Sequence, residues 1–336
     1  VKKITVVGAG SFGTALAALL GGKGRDVTIF ARDEKVVESI NTSGFNPVYL
    51  SDIRLPETVK AGNNLSEIIP GSEIVLFATP THAMREVAGE AKKYLSGSEV
   101  VVSVAKGIEQ ETLLLPSQIL AEVLEGVILE DNIGVLTGPS HAEEVALEKP
   151  TAVVATAYSK RVARIIQETF ITPMFRVYFN HDILGAEIGG ALKNIMAIAA
   201  GIVDGGELGD NAKAALITRG LHEMKRMGAT LGASQDTFSG LTGMGDLIVT
   251  CTSRHSRNRF VGYHIGKGKT LREITDNMSM VAEGVFTTRS VHQWSHQNRV
   301  DMPITSAVYK VLFENIDPKS ALHTLMTRNA KDEIMI

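Results

Sequence analysis

The chain has 336 residues, 44% of them hydrophobic, 5% aromatic and 21% charged, with a formal net charge of −3. Such a length suits two domains with real cores, and the acidic balance argues against a general nucleic-acid or anionic-membrane binder. A single cysteine, Cys251, excludes an internal disulfide and suits a reducing cytoplasm; no signal peptide is expected, and no apolar run is expected to approach the roughly 20 residues of a membrane span.

The chain opens as strand, glycine turn, helix, strand. Lys2 to Val7 is a β-branched run, Gly8-Ala9-Gly10-Ser11-Phe12-Gly13 follows, an apolar helix runs from Thr14 to about Gly21, and Asp26 to Phe30 is a second strand. This context reads as a dinucleotide site. Gly8 permits the tight turn, Gly10 lets backbone approach a pyrophosphate, and Gly13 lets helix and strand pack closely. The helix N-terminus offers free N–H groups and partial positive charge to the phosphates. At the end of the second strand, Arg32 can meet a 2′-phosphate, which favours NADP. Asp33 is either an acid for the ribose or the cap of a helix starting at Glu34, and it leaves NAD open.

Asp33 to Asn41 predicts a helix. Asn46 to Asn64, with Pro47 and Pro56, reads as an irregular insertion with a short strand near Thr58-Val59. It can reach over the cofactor and carries Tyr49, for which surface packing is the plain alternative. Strands are then expected at Glu73–Ala78, Glu99–Ala105, Asn132–Thr137, Thr151–Ala155 and Phe175–Phe179, with helices at Thr81–Tyr94, Pro116–Leu124 and Ser159–Phe170 between them. Near-continuous apolar strands separated by helices predict a parallel sheet covered on both faces. Ligands bind outside the carboxyl ends of such strands. Gly8, Arg32, Thr79-Pro80, Lys106 and Gly138-Pro139-Ser140 should therefore line one rim.

Beyond Asp182 the pattern turns helical, at Ile183–Gly201, Ala212–Met227, Gly245–Thr252, Thr270–Asn277, Gly284–Asn298, Thr305–Glu314 and Pro318–Met326. The first of these helices carries Lys193 on a face of Gly189, Gly190, Ala197 and Ala200, so another helix or a ligand approaches there. A lysine among apolar residues loses ammonium solvation and exchanges a proton nearer neutral pH; the alternative is a lysine reaching solvent over its own stem. Asp246, after the glycine-rich Gly240–Gly245, is either a helix N-cap or an acid orienting substrate or Lys193. Thr252 to Arg259 mixes basic residues with Ser, Asn and Thr donors, and on an acidic chain it reads as a loop for one small phosphate. Ser140-His141-Ala142-Glu143 has the spacing of a capping box, which would explain Ser140 structurally. His292 and His296 lie four apart with no third ligand nearby, and no metal is expected.

Seven blocks, 8–17, Lys106-Gly107, 136–142, 191–194, 209–220, 245–253 and 256–259, together resemble the bacterial NAD(P)-dependent glycerol-3-phosphate dehydrogenases nearly end to end. The resemblance implies a Rossmann-type, doubly wound, mostly parallel α/β domain over 1–181 and an all-α substrate domain over 182–336. It implies reversible reduction of dihydroxyacetone phosphate to sn-glycerol 3-phosphate with NADPH or NADH, feeding glycerophospholipid synthesis, in a cytoplasmic homodimer. Lys193 would be the proton donor and acceptor. Lys106, Gly138, Ser140, Lys193, Asp246, Ser256, Arg257 and Asn258 would hold the substrate. Ser11, Phe12, Arg32, Lys106, Ala142, Arg257, Val281 and Glu283 would contact the dinucleotide, joining Gly8, Gly10, Gly13, Asp33 and Tyr49, read above from the residues themselves, in the cofactor site. Phe12 stands where Trp is common, Thr242 and Met244 vary the glycine loop, and Phe260 replaces a frequent second arginine, leaving one positive charge fewer near the phosphate. The rival readings are a related dehydrogenase of another small hydroxy compound and a non-catalytic dinucleotide sensor.

Overall fold

A computed structural model describes residues 3–276, 278, 282–330 and 332–333. In chain order, β1 (Lys3–Val7) leads through α1 (Ser11–Gly22) to β2 (Asp26–Phe30), α2 (Glu34–Ser43), β3 (Val59–Gly62) and a short α3 (Leu65–Ile68). Next come β4 (Ile74–Phe77), α4 (Thr81–Ala91), β5 (Val100–Ser103), α5 (Pro116–Val123) and β6 (Ile133–Thr137). α6 (Ala142–Ala146), β7 (Thr151–Ala157), α7 (Lys160–Phe170) and β8 (Phe175–Asn180) complete this half. Among the described residues the strands form one sheet, ordered β3-β2-β1-β4-β5-β6-β7-β8. The order reverses between β1 and β4, the switch point at which open α/β sheets bind their ligands.

Apolar residues explain the layering. β4, β5 and β6 are buried along their whole length. One face of the sheet packs on Leu16 and Leu20 of α1 with Ile166 and Phe170 of α7. The other packs on Met84 and Val87 of α4 with Ile119 and Leu120 of α5. The sheet is parallel except where β6 meets β7, which run antiparallel with Val135 opposite Thr156. A parallel crossover needs a dozen or so residues, usually a real helix. Five-residue α6 does not supply one, and the chain turns straight back.

From Ile183 onward the described elements are α8 (Ile183–Gly205), α9 (Asp210–Leu231), α10 (Asp246–Thr252), α11 (Arg257–Gly266), α12 (Leu271–Thr275), α13 (Glu283–Asn298), α14 (Pro303–Phe313) and α15 (Pro318–Met326), with a π-helical turn at Leu241–Gly245. α8 is the axis of a third core, wrapped by α9, α10, α11, α13 and α14. It corrects the expectation that no apolar run would be long enough to span a membrane: at 23 residues it is, and it is almost wholly buried inside the protein. α11 corrects another, since the supposed loop ends at Ser256 and a helix begins at Arg257. It lies against α8 through glycines on both partners. A Cβ on Gly262 would run into the Ile198 carbonyl, and one on Gly205 into that of Tyr263.

Candidate active site

The end of β1 and the start of α1 form the first wall. Gly8 has φ +122°, and a Cβ there would lie 2.8 Å from the Ala78 carbonyl oxygen, so the turn needs glycine. A Cβ on Gly13 would strike the Gly8 carbonyl. Gly10 differs, for a Cβ on it would meet nothing within 4 Å. That space is open above the N-terminus of α1, whose free N–H groups and partial positive charge suit an anionic group such as a pyrophosphate. α1 itself begins at Ser11, one turn earlier than expected from Thr14.

Arg32 and Asp33 close the far end of this wall, both exposed and both lining the cavity. The Asp33 carboxylate accepts from the Lys35 amide at 2.9 Å, the cap of α2. Tyr49 also lines the cavity, on a strap held by the fully buried Asn46. The Asn46 amide nitrogen donates to the Ala9 carbonyl and the Thr14 hydroxyl, 2.9 Å each. Its amide oxygen accepts from the Val48 and Tyr49 amides at 3.1 Å. The glycine turn and the strap are thus one hydrogen-bonded unit.

Opposite stands a buried charge cluster. Lys193 Nζ lies 2.5 Å from Asp246 Oδ1 and 3.0 Å from Thr250 Oγ1. Lys106 Nζ donates to Asp246 Oδ2 at 2.8 Å and to the Gly138 carbonyl at 2.7 Å. Burial, with Lys106 beside it, lowers the Lys193 pKa to about 7, against the pull of Asp246. Burial alone would raise Asp246; Lys106 and Lys193 more than offset it, and the carboxyl stays below its ordinary value. Asp246 is not a cap, because the π-helical turn runs into α10 without a break and its side chain faces the two lysines. Of the small residues beside Lys193, Gly189 is approached by the Thr242 carbonyl and Gly190 by Thr137 and Lys106.

Ser256 caps α11, accepting from the Arg259 amide at 3.2 Å. Asn258 is buried, bridging Asn194 Oδ1 on α8 and the Gly284 amide of α13, 2.9 Å each. Arg257 is exposed at the cavity. Ser140 is not part of a capping box: α6 begins two residues later with His141 at its N-cap position, and Ser140 Oγ donates to the Gly138 carbonyl at 3.0 Å. Glu283 accepts from the Thr81 amide at 3.2 Å across the cleft, and burial pushes its pKa up to about 7.

One cavity of about 580 Å³ joins these walls. Gly8, Gly10, Ser11, Phe12, Arg32, Asp33, Tyr49, Lys106, Ser140, Ala142, Lys193, Ser256, Arg257, Asn258 and Glu283 all line it. Gly13, Gly138 and Asp246 stand behind the wall, and Val281 lies outside the described residues. Thr250, Asn194, His82 and His141 line it too, without having been expected, as does His255 of the 252–259 stretch read as a phosphate loop. Thr250 was findable: it sits four residues after Asp246, on the same helix face. A second, mainly apolar cavity of about 410 Å³ opens between α9, α14 and α15 and holds none of these groups. Among the described residues no cluster of three or more His, Cys, Asp or Glu side chains could hold a metal ion.

Comparison with known proteins agrees along the chain. Residues 3–163 match the family described as NAD-dependent glycerol-3-phosphate dehydrogenase N-terminus, and 182–323 match its C-terminus. The chain is 51% identical over 330 residues to glycerol-3-phosphate dehydrogenase [NAD(P)+] 2 of Salinibacter ruber, covering 98% of this chain and 96% of that one. It is 48% identical over 334 residues to the Staphylococcus epidermidis glycerol-3-phosphate dehydrogenase [NAD(P)+], covering 99% and 100%. The crystal structure of glycerol-3-phosphate dehydrogenase from Coxiella burnetii superposes with a TM-score of 0.92 at 37% identity, covering 97% and 99%.

Proposed function

The chain belongs to the NAD(P)-dependent glycerol-3-phosphate dehydrogenases, and on that premise we propose how its own residues reduce dihydroxyacetone phosphate to sn-glycerol 3-phosphate and reverse the reaction. When bound, the nicotinamide supplies the hydride for C2 or accepts it back. Lys193 delivers the proton to the C2 oxygen in reduction and removes it in oxidation, and as an ammonium it stabilises the developing alkoxide. Asp246 and Thr250 fix its Nζ, and Lys106 neutralises the second carboxylate oxygen. Ser140, Ser256, Arg257 and the backbone around Asn258 receive the phosphoryl end, Arg257 as its cation. The division of labour follows the chain, with 1–181 holding the dinucleotide and 182–336 carrying Lys193.

One observation carries this reading: a buried lysine, pKa brought to about 7, shares a cavity with an open glycine turn. A dinucleotide sensor would have no need of it. Asp33 is spent on its cap while Arg32 has no ion pair among the described residues, which supports NADPH over NADH. Cys251 is buried and its thiol is pushed up to about 12, so it takes no part in the chemistry. Supply of a glycerophospholipid precursor in the cytoplasm, by a homodimer, is the physiological setting we infer from the family.

The test is loss of reduced-cofactor absorbance with dihydroxyacetone phosphate, NADPH and NADH in parallel. Rapid oxidation is expected, faster with NADPH, and Lys193→Ala should lose turnover by about three orders of magnitude while still binding dinucleotide. Unchanged turnover in that variant would remove Lys193 from the reaction.

A further inference from the structure

His141 lies between Ser140 and Ala142, and nothing in the mechanism above uses it. Its Nε2 is buried and has no hydrogen-bond partner among the described residues. Buried polar atoms left without partners are uncommon, and one at the wall of a binding cavity marks a bond that a ligand completes. The ring lies 5.8 Å from that of His255, tilted by 49°, and both line the cavity beside Ser140, Ser256 and Arg257. The charged groups around His141 come from four places: Lys193 on α8, Lys106 after β5, Asp246 on α10 and Glu143 on its own helix. Burial first, then the two lysines, hold the imidazole below its ordinary pKa, so it stands neutral at neutral pH with one N–H to give.

We propose that His141 is a substrate-binding residue whose Nε2–H donates to a phosphoryl oxygen of the three-carbon substrate, with His255 flanking the same oxygens. The inference rests on the reading that this cavity takes a phosphorylated substrate. The carbonyl is served by Lys193; the 5.8 Å approach to His255, next to Ser256 and Arg257, and the adjacency to Ser140 point His141 to the phosphoryl end. A neutral donor there adds recognition without a further positive charge beside Lys106, Lys193 and Arg257.

The test is steady-state kinetics of His141→Phe and His141→Gln with NADPH and dihydroxyacetone phosphate, together with inhibition by inorganic phosphate. In His141→Phe, which keeps a planar ring and loses the donor, KM for the substrate and Ki for phosphate should rise together by about tenfold, with the loss falling on KM rather than kcat. His141→Gln, which restores an N–H, should recover most of both constants. Constants unchanged in His141→Phe would overturn the assignment, as would a loss confined to kcat or no recovery in the glutamine variant. If the phenylalanine variant does not fold, His141→Ala against His141→Gln reads the same two constants. Failure of the wild-type enzyme to turn over dihydroxyacetone phosphate would instead defeat the underlying reading, so the two failures are distinguishable.

Discussion

A lysine that must both give and take a proton needs a pKa near the working pH, and Lys193 obtains it from opposed forces. Burial and Lys106 push it down, Asp246 holds it up, and it settles at about 7. The direction of each pH limb follows. Reduction uses the ammonium, so its rate should fall as pH rises through about 7; oxidation uses the free amine, so its rate should rise over the same range. Asp246→Asn removes the one anion favouring the ammonium and leaves Lys106 unneutralised. Its reduction limb should move to lower pH, with turnover at neutral pH down at least tenfold. A pH–rate profile in both directions checks this, and a limb that stays in place would show that another group titrates. Lys193 itself could be picked out from its small-residue helix face. Asn194 could not, because an asparagine in an apolar helix looks like packing until the fold brings it to the Lys106 carbonyl.

At the scale of elements, what was legible depended on whether local pattern or tertiary packing makes the element. β4, β5 and β6 are β-branched runs buried on both faces, and their pattern is unmistakable. α11 is the opposite case. Arg257–Gly266 contains two glycines, a valine and two aromatics, all modest helix formers, after a stretch that looks like a polar loop. It is helical because α8 accepts it: Gly201 and Gly205 face Gly262 and Gly266, and the backbones meet with no side chain between them. Such a contact is invisible until both helices are in place. The same contact aims Ser256, Arg257 and Asn258 at the cavity. Gly262→Ala should therefore drive the helices apart, cost about 2 kcal/mol or more, and lower the melting temperature and substrate affinity together. Gly89→Ala is the control. Gly89 lies in α4 with only Val123 as a neighbour, at 3.9 Å, and the substitution should stabilise by about 0.5–1 kcal/mol. Thermal denaturation of both variants tests the pair; a Gly262→Ala protein as stable as wild type would show that the crossing is loose.

For the whole molecule, the question is what holds the sheet half and the helical half in one register across the cavity. Part of the answer is that the seam is not cut where the strands end. Ile108 and Leu115, from the segment between β5 and α5, pack in the core around α8. Beside them Glu187 of α8 reaches back to the first turn of α5, accepting from the Ser117 amide at 2.9 Å and the Ser117 hydroxyl at 2.5 Å. The Ser117 amide would otherwise be buried without a partner, whereas its hydroxyl also meets the Tyr158 hydroxyl at 3.3 Å. Glu187 has no cation partner among the described residues, and burial pushes its pKa up to about 7 from an ordinary 4.5. Between those values the folded chain holds a proton that the unfolded chain has released, so folding takes up protons and stability falls as pH climbs through the window. The shift corresponds to roughly 3 kcal/mol lost between about pH 4.5 and 7, with no further loss above. Glu223 and Glu283, also raised to about 7 by burial, act in the same direction, whereas Lys193, lowered to about 7, adds stability only as pH rises beyond that. A single profile therefore mixes several groups, and Glu187→Gln separates one. Glutamine keeps the shape, accepts from the amide and donates to the hydroxyl, but does not titrate. Denaturant unfolding at pH 5 and pH 8 should show the wild type losing clearly more stability than the variant over that interval, with the two nearest at pH 5. Parallel losses would mean that Glu187 does not ionise at the seam.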